Sequence, residues 1–93
     1  MSYEWDERKN ASNLQKHGVS FEEAQTTWID LRGIEIFDSI HSVTEDRFLR
    51  IAHSIVGRLL LTSFVEQSDG SVIRIISSRE ATKQEREVYE ERI

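Results

Sequence analysis

The sequence predicts an α+β fold: two N-terminal helices, a small, mostly antiparallel sheet of three to five strands, and a C-terminal helix. Three observations predict it. Helix-capping residues crowd the segment before Trp28. Runs rich in Ile, Val, Leu and Phe then fill residues 34–78, separated by turn signals. A second capping pair, Thr82 and Glu85, opens a polar helical tail. Helices followed by consecutive strands stack as one layer on another.

Asp6 caps the first helix by accepting from amides that would otherwise lack partners. Gly18 ends it, because glycine takes the positive φ of a helix stop without strain. Ser20 opens the second helix, with Glu23 three residues later as a capping box. Phe21, Ala24 and Trp28 form its apolar stripe, which can cover one sheet face. Ile34–Phe37 reads as a short strand and 38–44 as a loop. In Arg47–His53, Phe48 and Ala52 lie on one side and Leu49 and Ile51 on the other, as in a strand covered on both faces. Residues 55–58 turn into Leu59–Val65, and Gln67–Gly70 turns into Val72–Ser78. The last helix runs from Thr82 towards Ile93 with a thin apolar stripe of Ala81, Val88, Tyr89 and Ile93.

Ninety-three residues make a single domain, 1–93, with one modest core. Without cysteine there is no disulfide framework or thiolate zinc site, as expected of a protein in the reducing cytoplasm. No stretch approaches the roughly 18 apolar residues of a membrane span, and no apolar signal-peptide core opens the chain, so no membrane partner is expected. The net charge of −5 is uneven. Residues 45–79 carry five arginines against four acids, so acidity concentrates elsewhere and any polyanion site must be local.

Lys9, Asn13, Lys16 and His17 recur at spacings of three and four, so they share one face of the first helix. The whole stretch Glu4–Ala24 resembles the N-terminus of the BrnT family, RelE-like ribonuclease toxins of bacterial type II toxin–antitoxin systems. Glu45-Asp46-Arg47 looks like the family's acidic-acidic-Arg element ahead of its sheet. Val72–Thr82 looks like its final strand and helix entry, and Glu85-Arg86 with Tyr89 like the helix that follows. The resemblance implies a RelE-like fold, an RNA substrate and a cognate antitoxin protein of the BrnA type. It also implies that operator DNA is bound only through that antitoxin.

RNA can be cut without metal when its own 2′-hydroxyl attacks the adjacent phosphate. Such an enzyme needs a base, an acid and cations for the charge that builds on phosphate. No metal and no cofactor is called for. His17 is the natural proton-transfer group, since imidazole works near neutrality; the alternative is that it hydrogen-bonds free carbonyls at the helix end. The expected catalytic set is His17, Lys16, Arg47, Arg74 and Arg79, converging at the sheet edge. Arg74 and Arg79 stand five apart, so they share a face only if a bulge re-aims one of them. Lys9, Asn13, Arg58 and Tyr89 are expected to contact RNA, Tyr89 by stacking with Trp5 as a second candidate. Against this, the arginines could pair with Glu45, Glu66 and Glu85, and the aromatics could be core lids. His41 and His53 have no evident partner and read as surface or turn residues. The C-terminal helix and the adjoining sheet face are expected to receive the protein partner.

Two functions stay open. One is a metal-independent endoribonuclease toxin; the other is a non-catalytic protein-binding module on the same fold.

Overall fold

A computed structural model describes residues 1–91 of the chain. Five strands form one sheet: β1 (Ser2–Glu4), β2 (Ile34–Phe37), β3 (Arg47–His53), β4 (Leu59–Gln67) and β5 (Val72–Glu80). They lie in the order β1-β5-β4-β3-β2. All neighbours are antiparallel except β1, which runs parallel to β5. The helices are α1 (Glu7–His17), α2 (Phe21–Gln25) and α3 (Lys83–Glu91), with α2 tightening into a 3₁₀ turn at Thr26–Ile29. The expected α+β order holds. The parallel strand β1 is an addition: three residues are too few to show an alternation pattern in sequence.

Capping explains the helix limits. Asp6 accepts from the amides of Arg8 at 2.8 Å and Lys9 at 3.4 Å. Gly18 adopts φ 69° and returns its N–H to the carbonyl of Leu14. At α2 only half of the expected box forms. Ser20 Oγ accepts from Glu23 N–H at 3.0 Å, but the Glu23 carboxylate is drawn away to Ser54 and Arg58. The Thr82–Glu85 box is complete, with bonds of 2.8 and 3.2 Å.

Cross-strand partners share a face, so the register divides the sheet's side chains. Phe48, Phe64 and Ile75 align across β3, β4 and β5. Phe64 and Ile75 pack beneath Phe21 and Ala24, with Trp28 and Phe48 at the margin. The opposite face gathers Ile34, Ile51 and Leu59 against Tyr89 of α3. Tyr89 is only 3% exposed, so α3 is anchored through one deep aromatic side chain while Val88 stays largely exposed. Ile93, expected in the same stripe, lies outside the described residues.

Two features of β5 shape the surface around it. The pairing steps from Phe64↔Ile75 to Ser63↔Ser77, so Ile76 is an extra residue in a bulge. Strand β1 covers only Val72–Arg74, leaving the outer edge of the rest of β5 without a strand partner. Asn13 of α1 fills that gap. Its Nδ2 donates to the Ser78 carbonyl at 2.7 Å, and its Oδ1 accepts from Ser78 N–H at 3.1 Å. One side-chain amide thus stands in for a sheet neighbour and ties the end of α1 to β5.

Candidate active site

A cleft of about 260 Å³ opens on the α3 face of the sheet, near the bulge. Its apolar lining is Leu49, Leu61 and Ile76, interrupted by Ser63, Ser77 and Ser78. Polar groups come from four separate places: His17 from the end of α1, Asp38 and His41 from the loop after β2, Arg47 from the start of β3 and Arg79 from β5. A second hollow of about 210 Å³ continues past His17, Ile76 and Ser77, and adds Lys9, Ser12, Asn13 and Lys16. The two together make a groove running from cationic helix residues to a pocket holding two arginines and two imidazoles.

The bulge brings arginine to this face. Skipping Ile76 re-phases the strand, so Arg74, Ser77 and Arg79 now share one side although an unbroken strand would separate Arg74 from Arg79. Arg79 reaches the cleft and Arg74 does not. Arg74 sits opposite Glu4 in the parallel β1 pairing and donates to its carboxylate at 2.8 Å. The expected convergence is therefore corrected for Arg74: a local ion pair at the far end of the strand holds it.

Arg79 makes a two-pronged bond to Glu85, at 2.8 and 2.9 Å, and a third to the Glu80 carbonyl at 3.1 Å. This bonding raises Arg79 above its ordinary value against the opposing effect of burial. The same pairing, outweighing burial, holds the Glu85 carboxyl below its ordinary range. A guanidinium has five N–H donors, so three bonds leave two for an incoming ligand. Arg47 is more loosely held, 3.8 Å from Glu45. Its Nε is buried without a hydrogen-bond partner among the described residues, which is costly for a donor kept from water.

Three expected RNA contacts are corrected by their surroundings. Asn13 is buried, with its amide spent on Ser78 and the Val19 carbonyl. Arg58 donates to the Glu23 carboxylate at 3.1 Å through Nε and to the Gly18 carbonyl at 2.9 Å. It therefore clamps the start of β4 to α2 rather than facing the groove. Tyr89 cannot stack on a base, because its ring is in the core and its hydroxyl donates to Asp30 at 2.7 Å. Trp5 is likewise a lid, edge-on to Phe21 at 6.1 Å. Lys9 and Lys16 remain on the groove.

Both histidines without an expected partner have one. His53 Nδ1 lies 3.2 Å from the Tyr89 hydroxyl. His41 Nδ1 lies 2.8 Å from Asp38 Oδ2, and His41 N–H donates to Asp38 Oδ1. The available signal was an Asp followed three residues later by a residue that can close a turn on it. Asp38 is held below the ordinary carboxylate range: burial opposes the shift, and the bonds from the His41 ring and backbone outweigh it. Among the described residues, no three His, Asp or Glu side chains are grouped to hold a metal ion. No helix among those residues is long and apolar enough to cross a membrane.

Residues 5–85 match the family described as "Ribonuclease toxin, BrnT, of type II toxin-antitoxin system". The fold is similar to the crystal structure of the Brucella abortus ribonuclease toxin BrnT, with a TM-score of 0.69 and 22% identity. That likeness covers 89% of this chain and 99% of the Brucella chain. At this identity it speaks for the fold alone. No curated protein matches the sequence.

Proposed function

Since this chain belongs to the BrnT family of type II ribonuclease toxins, we propose that it is an endoribonuclease that cuts RNA in the cleft by 2′-hydroxyl attack on the adjacent phosphate. One observation carries the reading: His17, Arg47 and Arg79, from three distant parts of the chain, line a single cleft. An internal nucleophile needs no metal-bound water, so the protein supplies proton transfer and charge stabilisation. His17 is a proton-transfer group. Arg47 and Arg79 meet the phosphate, whose oxygens suit the planar guanidinium and would satisfy the buried Arg47 Nε. Lys16 and Lys9 take flanking phosphates along the groove. A cognate antitoxin of the BrnA type is the protein partner, and operator DNA is reached only through it. The setting is cytoplasmic.

The test is cleavage of a single-stranded RNA by the purified chain in excess chelator. The unaltered protein should leave 2′,3′-cyclic phosphate and 5′-hydroxyl ends, and His17→Ala and Arg79→Ala should each lose activity. Dependence on added metal would overturn the metal-independent mechanism.

A second reading has its own support. Arg79, Arg74 and Arg58 are each tied to a carboxylate, and the chain is acidic overall. A non-catalytic protein-binding module with this fold would bind its partner while leaving RNA intact in the same assay.

A further inference from the structure

The cleft holds a second imidazole, His41, with no part in the chemistry assigned to His17. Asp38 closes the end of β2: its N–H donates to the Arg47 carbonyl at 2.8 Å, and its own carbonyl accepts from Ser42 Oγ. Ser42 Oγ in turn accepts from Arg47 N–H at 2.9 Å. These bonds pin both ends of the loop together and hold Asp38 beside Arg47. The carboxylate then grips His41 twice, through the ring and through the backbone.

The chemistry of that grip sets the tautomer. An ionised carboxylate only accepts, so His41 Nδ1 must carry the proton given to Asp38. In the neutral ring, Nε2 is therefore left with the lone pair, at the end away from the carboxylate. Base, orienting carboxylate and phosphate-binding arginine are the parts that proton abstraction beside a phosphate requires. His17, by contrast, has no hydrogen bond among the described residues to fix its tautomer, and it comes from the end of α1, which packs on β5, whereas His41 comes from the loop between β2 and β3.

We propose that His41, oriented by Asp38, is the general base of this cleft and that His17 is its general acid. The assignment rests on the ribonuclease reading above and deepens it. His41 Nε2 takes the proton of the 2′-hydroxyl. The O2′ electron pair forms the new bond to phosphorus, and the bond from phosphorus to O5′ breaks with its pair going to O5′. Protonated His17 supplies the proton that O5′ needs. A 2′,3′-cyclic phosphate and a 5′-hydroxyl result, and no further reactant is consumed. Asp38, Arg47 and Arg79 share the cleft with the two rings, Lys9 and Lys16 share the adjoining hollow with His17, and Glu45 and Glu85 pair with the two arginines.

The experiment is steady-state cleavage of a short, mixed-sequence, fluorescent RNA oligonucleotide by the whole chain and its His41→Ala, Asp38→Asn and His17→Ala variants. The His41 side chain is 65% exposed, so His41→Ala should melt like the unaltered protein. Its kcat should fall by about 10²–10⁴-fold, with KM little changed, as for loss of a positioned acid–base group. The acidic limb of its pH–rate profile should vanish, and added imidazole should restore part of the rate. Asp38→Asn should lower kcat less, since it removes the orienting charge and leaves the base. His17→Ala should lose the alkaline limb instead. If the unaltered chain cuts RNA and His41→Ala cuts equally well, the base assignment is wrong and the ribonuclease reading stands. If the loss appears in KM alone and imidazole restores nothing, His41 binds RNA and is not the base. If the unaltered chain leaves RNA uncut, the ribonuclease reading falls and this assignment falls with it.

Discussion

Asn13→Ala separates a structural amide from an RNA contact. Asn13 makes three buried hydrogen bonds, to Val19 O, Ser78 O and Ser78 N–H, at 2.8, 2.7 and 3.1 Å. Truncation leaves one backbone donor and two carbonyls without these partners. An abandoned buried group costs about 1–3 kcal/mol. Solvent entering from the neighbouring hollow, which Asn13 itself lines, offsets part of that cost. The net loss should be about 2–4 kcal/mol, a large share of the ~5–15 kcal/mol that holds a domain together. At ~4–8 °C per kcal/mol for a domain of this size, the melting temperature should drop by roughly 8–32 °C. Urea unfolding followed by tryptophan fluorescence reads the change directly, with an unaltered m-value expected. Asn13→Asp should also destabilise: its carboxylate still accepts from Ser78 N–H but faces two carbonyls with a negative charge. The reasoning fails if Asn13→Ala keeps its stability within ~0.5 kcal/mol while RNA affinity falls, for the amide would then be spent on RNA.

Other perturbations address the remaining contacts. The Glu85 carboxyl is held below its ordinary value of 4.5 chiefly by Arg79, so its contribution to stability is complete above that pH and is lost as pH falls through the lower folded value. Glu85→Gln should therefore flatten part of the acid limb of a stability–pH curve, and an unchanged limb would show that the pair contributes nothing. The Tyr89 hydroxyl is pushed up from 10.0 to about 12, first by burial and then by its bond to Asp30. Its contribution is present below pH 10 and is lost as pH rises towards about 12. Tyr89→Phe should cost about 2 kcal/mol in urea unfolding, and neutrality would mean the bond has no net value. If Lys9, Lys16, Arg47 and Arg79 hold the RNA backbone, log affinity should fall with log salt at a slope of about −2 to −3. A flat response in fluorescence anisotropy would show that the groove does not grip phosphate.

How much of this molecule is legible in its sequence depends on the range of the forces involved. Asp6, Gly18, Ser20 and Thr82 act within a turn of the chain, and each forms a cap the sequence predicts. Partners far apart in sequence leave no such local mark. Arg50 lies in β3 and looks like any strand arginine. Yet it is buried, donates to the carbonyls of Thr27 and Asp30 and to Glu35, and lies 5.1 Å over the Trp28 ring. Gly33 exists beside it for want of room: an added Cβ would come within 2.3 Å of that guanidinium. Arg74 shows how one unseen element propagates. Sequence parity requires a bulge to bring Arg74 and Arg79 to one face, and the bulge is there at Ile76. But β1, too short to announce itself, sets Glu4 opposite Arg74 and takes it from the cleft. The same shortness uncovers the rest of the β5 edge, so that α1 can reach it through Asn13 and bring His17 to the groove. A three-residue strand thus holds one cation away from the cleft and leaves open the stretch of β5 edge to which α1 is tied.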